Sequence, residues 1–124
     1  MAKAVQIDSN GMKSIVEFEI GNSYDVISRA VGGWIECVNL RTKGVDMWVN
    51  EEGKLNSLAE NPIGTALYLD EFGNGDFIVG NILITGGVDD EGETLGLTDE
   101  QVSEFCAYDR RVWTLAGFTR DSFM

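Results

Sequence analysis

The 124-residue chain has no histidine, one proline, two cysteines and no long apolar run. Without imidazole, neither Ser-His-Asp nor Cys-His catalysis can be assembled, and zinc sites that use histidine are excluded. Cys37 and Cys106 cannot make a four-cysteine centre. With no CxxC they are expected to be two buried, unbridged thiols in a reducing cytosol. A bilayer span needs about 20 apolar residues, and the opening "MAKAVQIDSNGMKS" lacks the apolar core of a signal peptide. A cytoplasmic location without membrane contact is expected. The glycine stretches miss the phosphate-binding patterns: "GNGDFI" puts Ile78 where G-x-G-x-x-G needs its last glycine. "DEFGNGDF" and "DDEGETLG" lack the calcium-loop ligand ladder. Acids that are neighbours in a loop are no evidence of a catalytic dyad. The expectation is therefore a protein that is not an enzyme, with no metal and no cofactor.

Basic residues are missing from one long window. Between Leu55 and Asp109 there are 12 acids and no Lys or Arg, so that window alone equals the net charge of −12. Such a surface argues against gripping duplex nucleic acid, whose phosphates demand a basic face. It is compatible with plain solubility or with an acidic decoy for a DNA-binding protein.

What is present reads as a folded domain, with 44% apolar residues and 12 aromatics. "SIVEFEI" alternates as a half-buried strand with Val16, Phe18 and Ile20 on one face. "NSYDVISRAVGG" is a short helix with Ser23 as N-cap, a stripe of Val26, Ile27, Ala30 and Val31, and Gly32 as its stop. "WIECVNL", the loop "RTKG" and "VDMWVN" form a β-hairpin. Pairing Leu40 with Val45 gathers Trp34, Glu36, Val38, Leu40, Val45, Met47 and Val49 on one face. Ile35, Cys37, Asn39, Asp46, Trp48 and Asn50 fall on the other. Glu36 is out of place among hydrophobes, and Trp48 among polar groups. "NSLAENP" is read as a turn or short helix ended by Asn61-Pro62, and "IGTALYLDEF" fits a helix or a buried strand. "FIVGNILITGG" is β-rich, with Gly80 at a bulge or close approach. "VDDEGETLG" is a solvated acidic loop. A C-terminal helix over about 98–112 opens on a Thr98/Gln101 capping box, with Val102, Phe105 and Cys106 on its stripe, continued by Asp109 or Val112. The expected fold is a single α+β domain over 1–124: a mostly antiparallel sheet with a central hairpin and two or three helices.

"VGGWIECVNL", "VNEEGKL", "NPIGTAL" and "IVGNILITGG", in that order over about 31–86, resemble a family of small uncharacterised proteins of bacteriophages, plasmids and actinobacterial genomes. The shared positions are Gly32, Gly33, Ile35 and Glu36; Asn50, Glu51, Glu52 and Gly53; Asn61, Thr65 and Ala66; and Ile78, Gly80 and Asn81. The resemblance implies an accessory protein of a mobile element. By analogy of context it points to a phage anti-defence sponge that sequesters a small, cyclic nucleotide immune signal in the host cytosol without cleaving it.

A nucleotide site needs a flat plane, cations or N–H groups for phosphate, and amides or carboxylates for base and ribose. Trp34 and Trp48 are the candidate planes; Trp48 reads equally well as a partly buried or interface residue. Arg41, Lys43 and Lys54 are the bases that flank the hairpin. Glu36 reaches either a ribose, an arginine such as Arg110 or Arg111, or solvent. Asn50, Glu51, Glu52 and Gly53 form a ligand-facing turn that opens a short helix at Lys54, or a plain strand-to-turn stop in which Gly53 supplies positive φ. Asn61, Thr65 and Asn81 complete the candidate set from the motif positions. A homo-oligomer is expected. The alternative function is an acidic protein-binding inhibitor or DNA mimic acting on a host defence protein.

Overall fold

The computed structural model describes residues 1–108. Five strands form one sheet in the order β2-β1-β5-β4-β3, and each adjacent pair is antiparallel. They are β1 (Ala2–Ile7), β2 (Lys13–Phe18), β3 (Ile35–Leu40), β4 (Val45–Asn50) and β5 (Ile82–Gly86). Three helices cover the sheet: α1 (Ser23–Val31), α2 (Pro62–Phe72) and α3 (Asp99–Cys106). This is an α+β domain with a helix layer on each side of an antiparallel sheet.

The period-2 alternation of the strands divides the core in two. One face, with Val5, Ile7, Met47, Val49 and Ile84, packs against Ile63 and Leu67 of α2 and Val102 and Phe105 of α3. The other face, with Ala4, Phe18 and Leu83, packs against Ile27 and Ala30 of α1. Burying each of the larger side chains among them contributes about 1.5–3 kcal/mol, so register is strongly specified. The hairpin has the expected pairing: Leu40 faces Val45, Val38 faces Met47 and Glu36 faces Val49.

Trp48 is not among polar groups after all. Its face of the hairpin is the one α1 covers, and the indole packs with Ile35 against that second cluster, its Nε1–H donating to Thr85 Oγ1 at 2.9 Å.

Several expectations are corrected. β1 is an additional strand, with β2 and β5 on its two sides. Ser23 is the first residue of α1; Asn22 holds the N-cap position without a side-chain cap. Asn61-Pro62 begins a helix instead of ending one: Asn61 caps α2 through Gly64 N–H at 2.9 Å, and Pro62 takes the first turn, where its missing N–H costs nothing. In 77–87 only Ile82–Gly86 is strand. Gly80 is a close approach, with φ +76, and a Cβ there would lie 2.8 Å from Leu58 Cδ1. The Thr98/Gln101 capping box is present, and α3 runs Asp99–Cys106. The helix stops at its C-cap Ala107, short of the expected span; Asp109, Val112 and the proposed Glu36 partners Arg110 and Arg111 lie outside the described residues. Cys37 is exposed on β3, not buried; both thiols are free.

Candidate functional site

A cleft of about 180 Å³ opens where the far end of the hairpin meets the Asp76–Val79 loop and α2. Its floor is apolar, with Val38 and Val49 from the hairpin and Ile78 and Val79 from the loop. Glu36, Glu51, Lys54 and Asp76 bring charge to it, and Tyr68 and Phe77 bring rings. Glu36 explains itself here: it stands on an edge strand, faces Val49, and is exposed into the cleft.

The turn beyond β4 is built by Asn50. Its side chain accepts from Glu52 N–H at 2.8 Å and donates to Val31 O at 3.2 Å, tying the turn to the end of α1. Glu51 N–H donates to Trp34 O at 2.8 Å, which aligns Glu51 with the start of β3. The amide of Asn50 therefore holds the protein together, while Glu51 is free to face the cleft. Residues 51–57 form a run of turns, not a helix opening at Lys54. Gly53 does not have positive φ; the requirement is space, since a Cβ there would lie 2.8 Å from Val79 Cγ2.

The loop on the opposite side is fixed from within. Asn61 is fully buried, and its Nδ2 donates to Ile7 O at 3.0 Å and Gly80 O at 2.8 Å. Thr65 Oγ1 accepts from Ile78 N–H at 2.9 Å and donates to Ile78 O at 3.3 Å, and Asn61 N–H also donates to Ile78 O. These two motif residues sit behind the lining and position Phe77, Ile78 and Val79, instead of facing the cleft themselves.

The remaining candidates are dispersed. Arg41 and Lys43 lie in the 3-10 turn Arg41–Lys43, five residues along β4 from Asn50, on the order of 16 Å away at strand rise. There Lys43 pairs with Asp70, and Thr42 donates its N–H and hydroxyl to Glu71 at 3.1 and 2.7 Å. Trp34 is 64% exposed next to the cleft without lining it, Glu52 is exposed, and Asn81 is half-buried before β5. Trp48 is on the other side of the sheet. Thus Glu36, Asn50, Glu51 and Lys54 come together, and the arrangement adds Tyr68, Asp76 and Phe77, which sequence reasoning missed. The available signal was an aromatic beside an acid in "GDF", inside the acid-only window, with the nearest bases on the hairpin side of the chain.

Electrostatically the cleft favours positive guests. The hydrogen bond from Lys54, helped by that from Phe77 N–H, holds the Asp76 carboxyl below its usual range. Elsewhere on β3, partial desolvation by its neighbours and then the nearby Asp46 push the Cys37 thiol up to about 11, so it is a poor nucleophile at neutral pH. Burial likewise raises the Asp46 carboxyl. In the acidic loop, Asp89 Oδ1 accepts from the N–H groups of Glu91 and Glu93, both at 2.9 Å, so this acid shapes its own turn. Among the described residues no group of three or more acids or cysteines could hold a metal ion, and no helix is long and apolar enough to cross a membrane.

Residues 2–109 match the profile of a family described as "Domain of unknown function (DUF3846)". No curated protein and no solved structure matches the chain.

Proposed function

The chain belongs to the DUF3846 family, a domain of unknown function, and from its cleft we propose a non-catalytic capture protein whose guest presents a cationic, donor-rich group. The observation that carries this reading is the lining: Glu36, Glu51 and Asp76 beside the Tyr68 and Phe77 rings, with Lys54 the one cation among the described lining residues. Ionised carboxylates accept hydrogen bonds and cannot donate. A phosphate meets repulsion there, whereas a guanidinium or ammonium meets acceptors and a π face. Size points the same way. Pockets that enclose whole small ligands run to roughly 300–1,000 Å³, so about 180 Å³ suits one flat group better than a complete cyclic dinucleotide. An arginine or lysine side chain at the surface of a larger basic partner satisfies both conditions. A net charge of −12 would steer such a partner in.

This is the acidic-inhibitor reading, with the cleft, not the Asp89–Glu93 loop, at its centre. In the phage setting that the resemblance implies, the partner is a host defence protein whose DNA-handling face is basic. The second reading, sequestration of a small nucleotide signal, is favoured by the Tyr68 and Phe77 rings, which offer a base its π platform. Glu36 and Glu51 would then accept from the amino and imino groups of a base edge, leaving the phosphates outside. Self-association belongs to either reading, and the exposed Trp34 supports it.

Calorimetry with an arginine-rich peptide, its lysine counterpart and a panel of mono- and cyclic nucleotides separates the cases, with the ligand recovered after denaturation. Peptide binding is expected. A nucleotide bound and returned intact, with no peptide binding, favours the second reading. Conversion of the nucleotide to a new product would show an enzyme and defeat both.

A further inference from the structure

Lys54 already occupies the place a cationic guest would take. Its ammonium pairs with the Asp76 carboxylate and lies 4.5 Å from the centroid of the Phe77 ring. A cation held between a carboxylate and an aromatic face is the arrangement by which proteins bind such groups from other molecules. The seat does not depend on Lys54 for its shape. Asp76 Oδ1 accepts from Phe77 N–H at 2.8 Å, and the next residue, Ile78, is pinned by Thr65 and Asn61.

We propose that Lys54 is an intramolecular placeholder for the Asp76–Phe77 seat, displaced when the guanidinium of an arginine on a basic protein partner enters the cleft. This rests on the reading of the cleft as a cation receptor and names both its guest and its regulation. Displacement is physically easy, because the Lys54 and Asp76 side chains are 47% and 43% exposed and an exposed pair of this kind is weakly held. Arginine has the advantage over lysine. Its guanidinium is less strongly hydrated, stacks on a ring, and forks to a carboxylate with two parallel bonds. Glu51 and Glu36, in the same lining, accept its remaining N–H groups. The displaced Lys54 ammonium returns to water, so the exchange conserves one cation in the seat. An uncommitted cation must out-compete the tethered one, which sets an affinity threshold.

The sign of one substitution tests this. A tetra-arginine peptide is titrated into the wild type, Lys54→Gln, Phe77→Leu and the control Lys13→Gln, which changes the net charge equally at the start of β2. The melting temperature of each is recorded, with Lys54→Met in reserve should Lys54→Gln fold poorly. Lys54→Gln should bind about 3- to 10-fold tighter than the wild type, well beyond any gain in Lys13→Gln, and arginine should outbind tetra-lysine. Adding Phe77→Leu should remove the gain. Weaker binding by Lys54→Gln, or a gain no larger than the control's, overturns the placeholder. If in that event Glu36→Gln and Glu51→Gln still weaken the wild type, the receptor reading stands alone; if no variant binds the peptide, both fall.

Discussion

Asn61→Ala should be among the most damaging single substitutions in the fold. The side chain is 0% exposed and makes three hydrogen bonds that join β1, the Gly80 loop and the first turn of α2. Truncation leaves Gly64 N–H and the carbonyls of Ile7 and Gly80 without these partners inside the core. An orphaned buried group costs about 1–3 kcal/mol, and a carbonyl suffers less where its second lone pair is engaged. Lost capping is the Gly64 bond itself, so it is not added again. A total of about 2–4 kcal/mol follows, against about 5–15 kcal/mol for a whole domain. Urea unfolding measures it, provided the m-value is unchanged. Asn61→Asp sharpens the reasoning: it keeps the cap acceptor but turns a carboxylate toward the Ile7 and Gly80 carbonyls, so it should be at least as harmful. A loss below about 1 kcal/mol for Asn61→Ala, or a benign Asn61→Asp, would refute the claim that the two donated bonds hold these segments together.

Three further outcomes are expected. Gly53→Ala should cost about 1–3 kcal/mol by overpacking against Val79, and a double-mutant cycle with Val79→Ala should show strong coupling; additive effects would contradict the steric cause. Cys37, exposed but with its thiol pushed up to about 11, should alkylate at pH 8.5 roughly 100-fold more slowly than an ordinary exposed thiol. Asp46→Asn should speed it part of the way, since desolvation is the larger cause; an already rapid wild-type reaction would contradict the raised thiol, and an unchanged rate in Asp46→Asn would dismiss the influence of Asp46. Asp76 should titrate by NMR below its ordinary value of 3.8 and return toward that value in Lys54→Gln. Because its folded pKa is depressed, the small stability it adds is present above the unfolded value and lost as pH falls through the folded one. An unchanged midpoint in Lys54→Gln would exclude the Lys54 contact as the cause.

The hairpin was legible because its alternation allows one register that keeps Val38, Leu40, Val45, Met47 and Val49 together. The Thr98 capping box was legible because it is purely local. β1 was not: "AKAVQI" alternates poorly, and Ala4 and Val5 gain their burial from neighbours distant in sequence. α2 gave no period to read, since "IGTALYLDEF" is apolar almost all the way round, and Asn61-Pro62 serves a helix start as readily as a stop. Half of the candidate site followed from the "NEEGK" turn and Glu36. The other half, Tyr68, Asp76 and Phe77, depends on a loop folding back onto the hairpin, which no local pattern encodes. Asn61 and Thr65 stood out as motif residues, yet their burial makes them supports of that loop.

The claim that the cleft receives a cationic group is tested most directly by titrating an arginine-rich peptide into the wild type and a Glu36→Gln/Glu51→Gln variant. Both side chains are exposed, so the variant should melt within a degree or two of the wild type. Its affinity for the peptide should fall by about 10-fold or more, with a shallower salt dependence. Equal affinity and equal salt dependence in the two proteins would contradict a cation-receiving cleft.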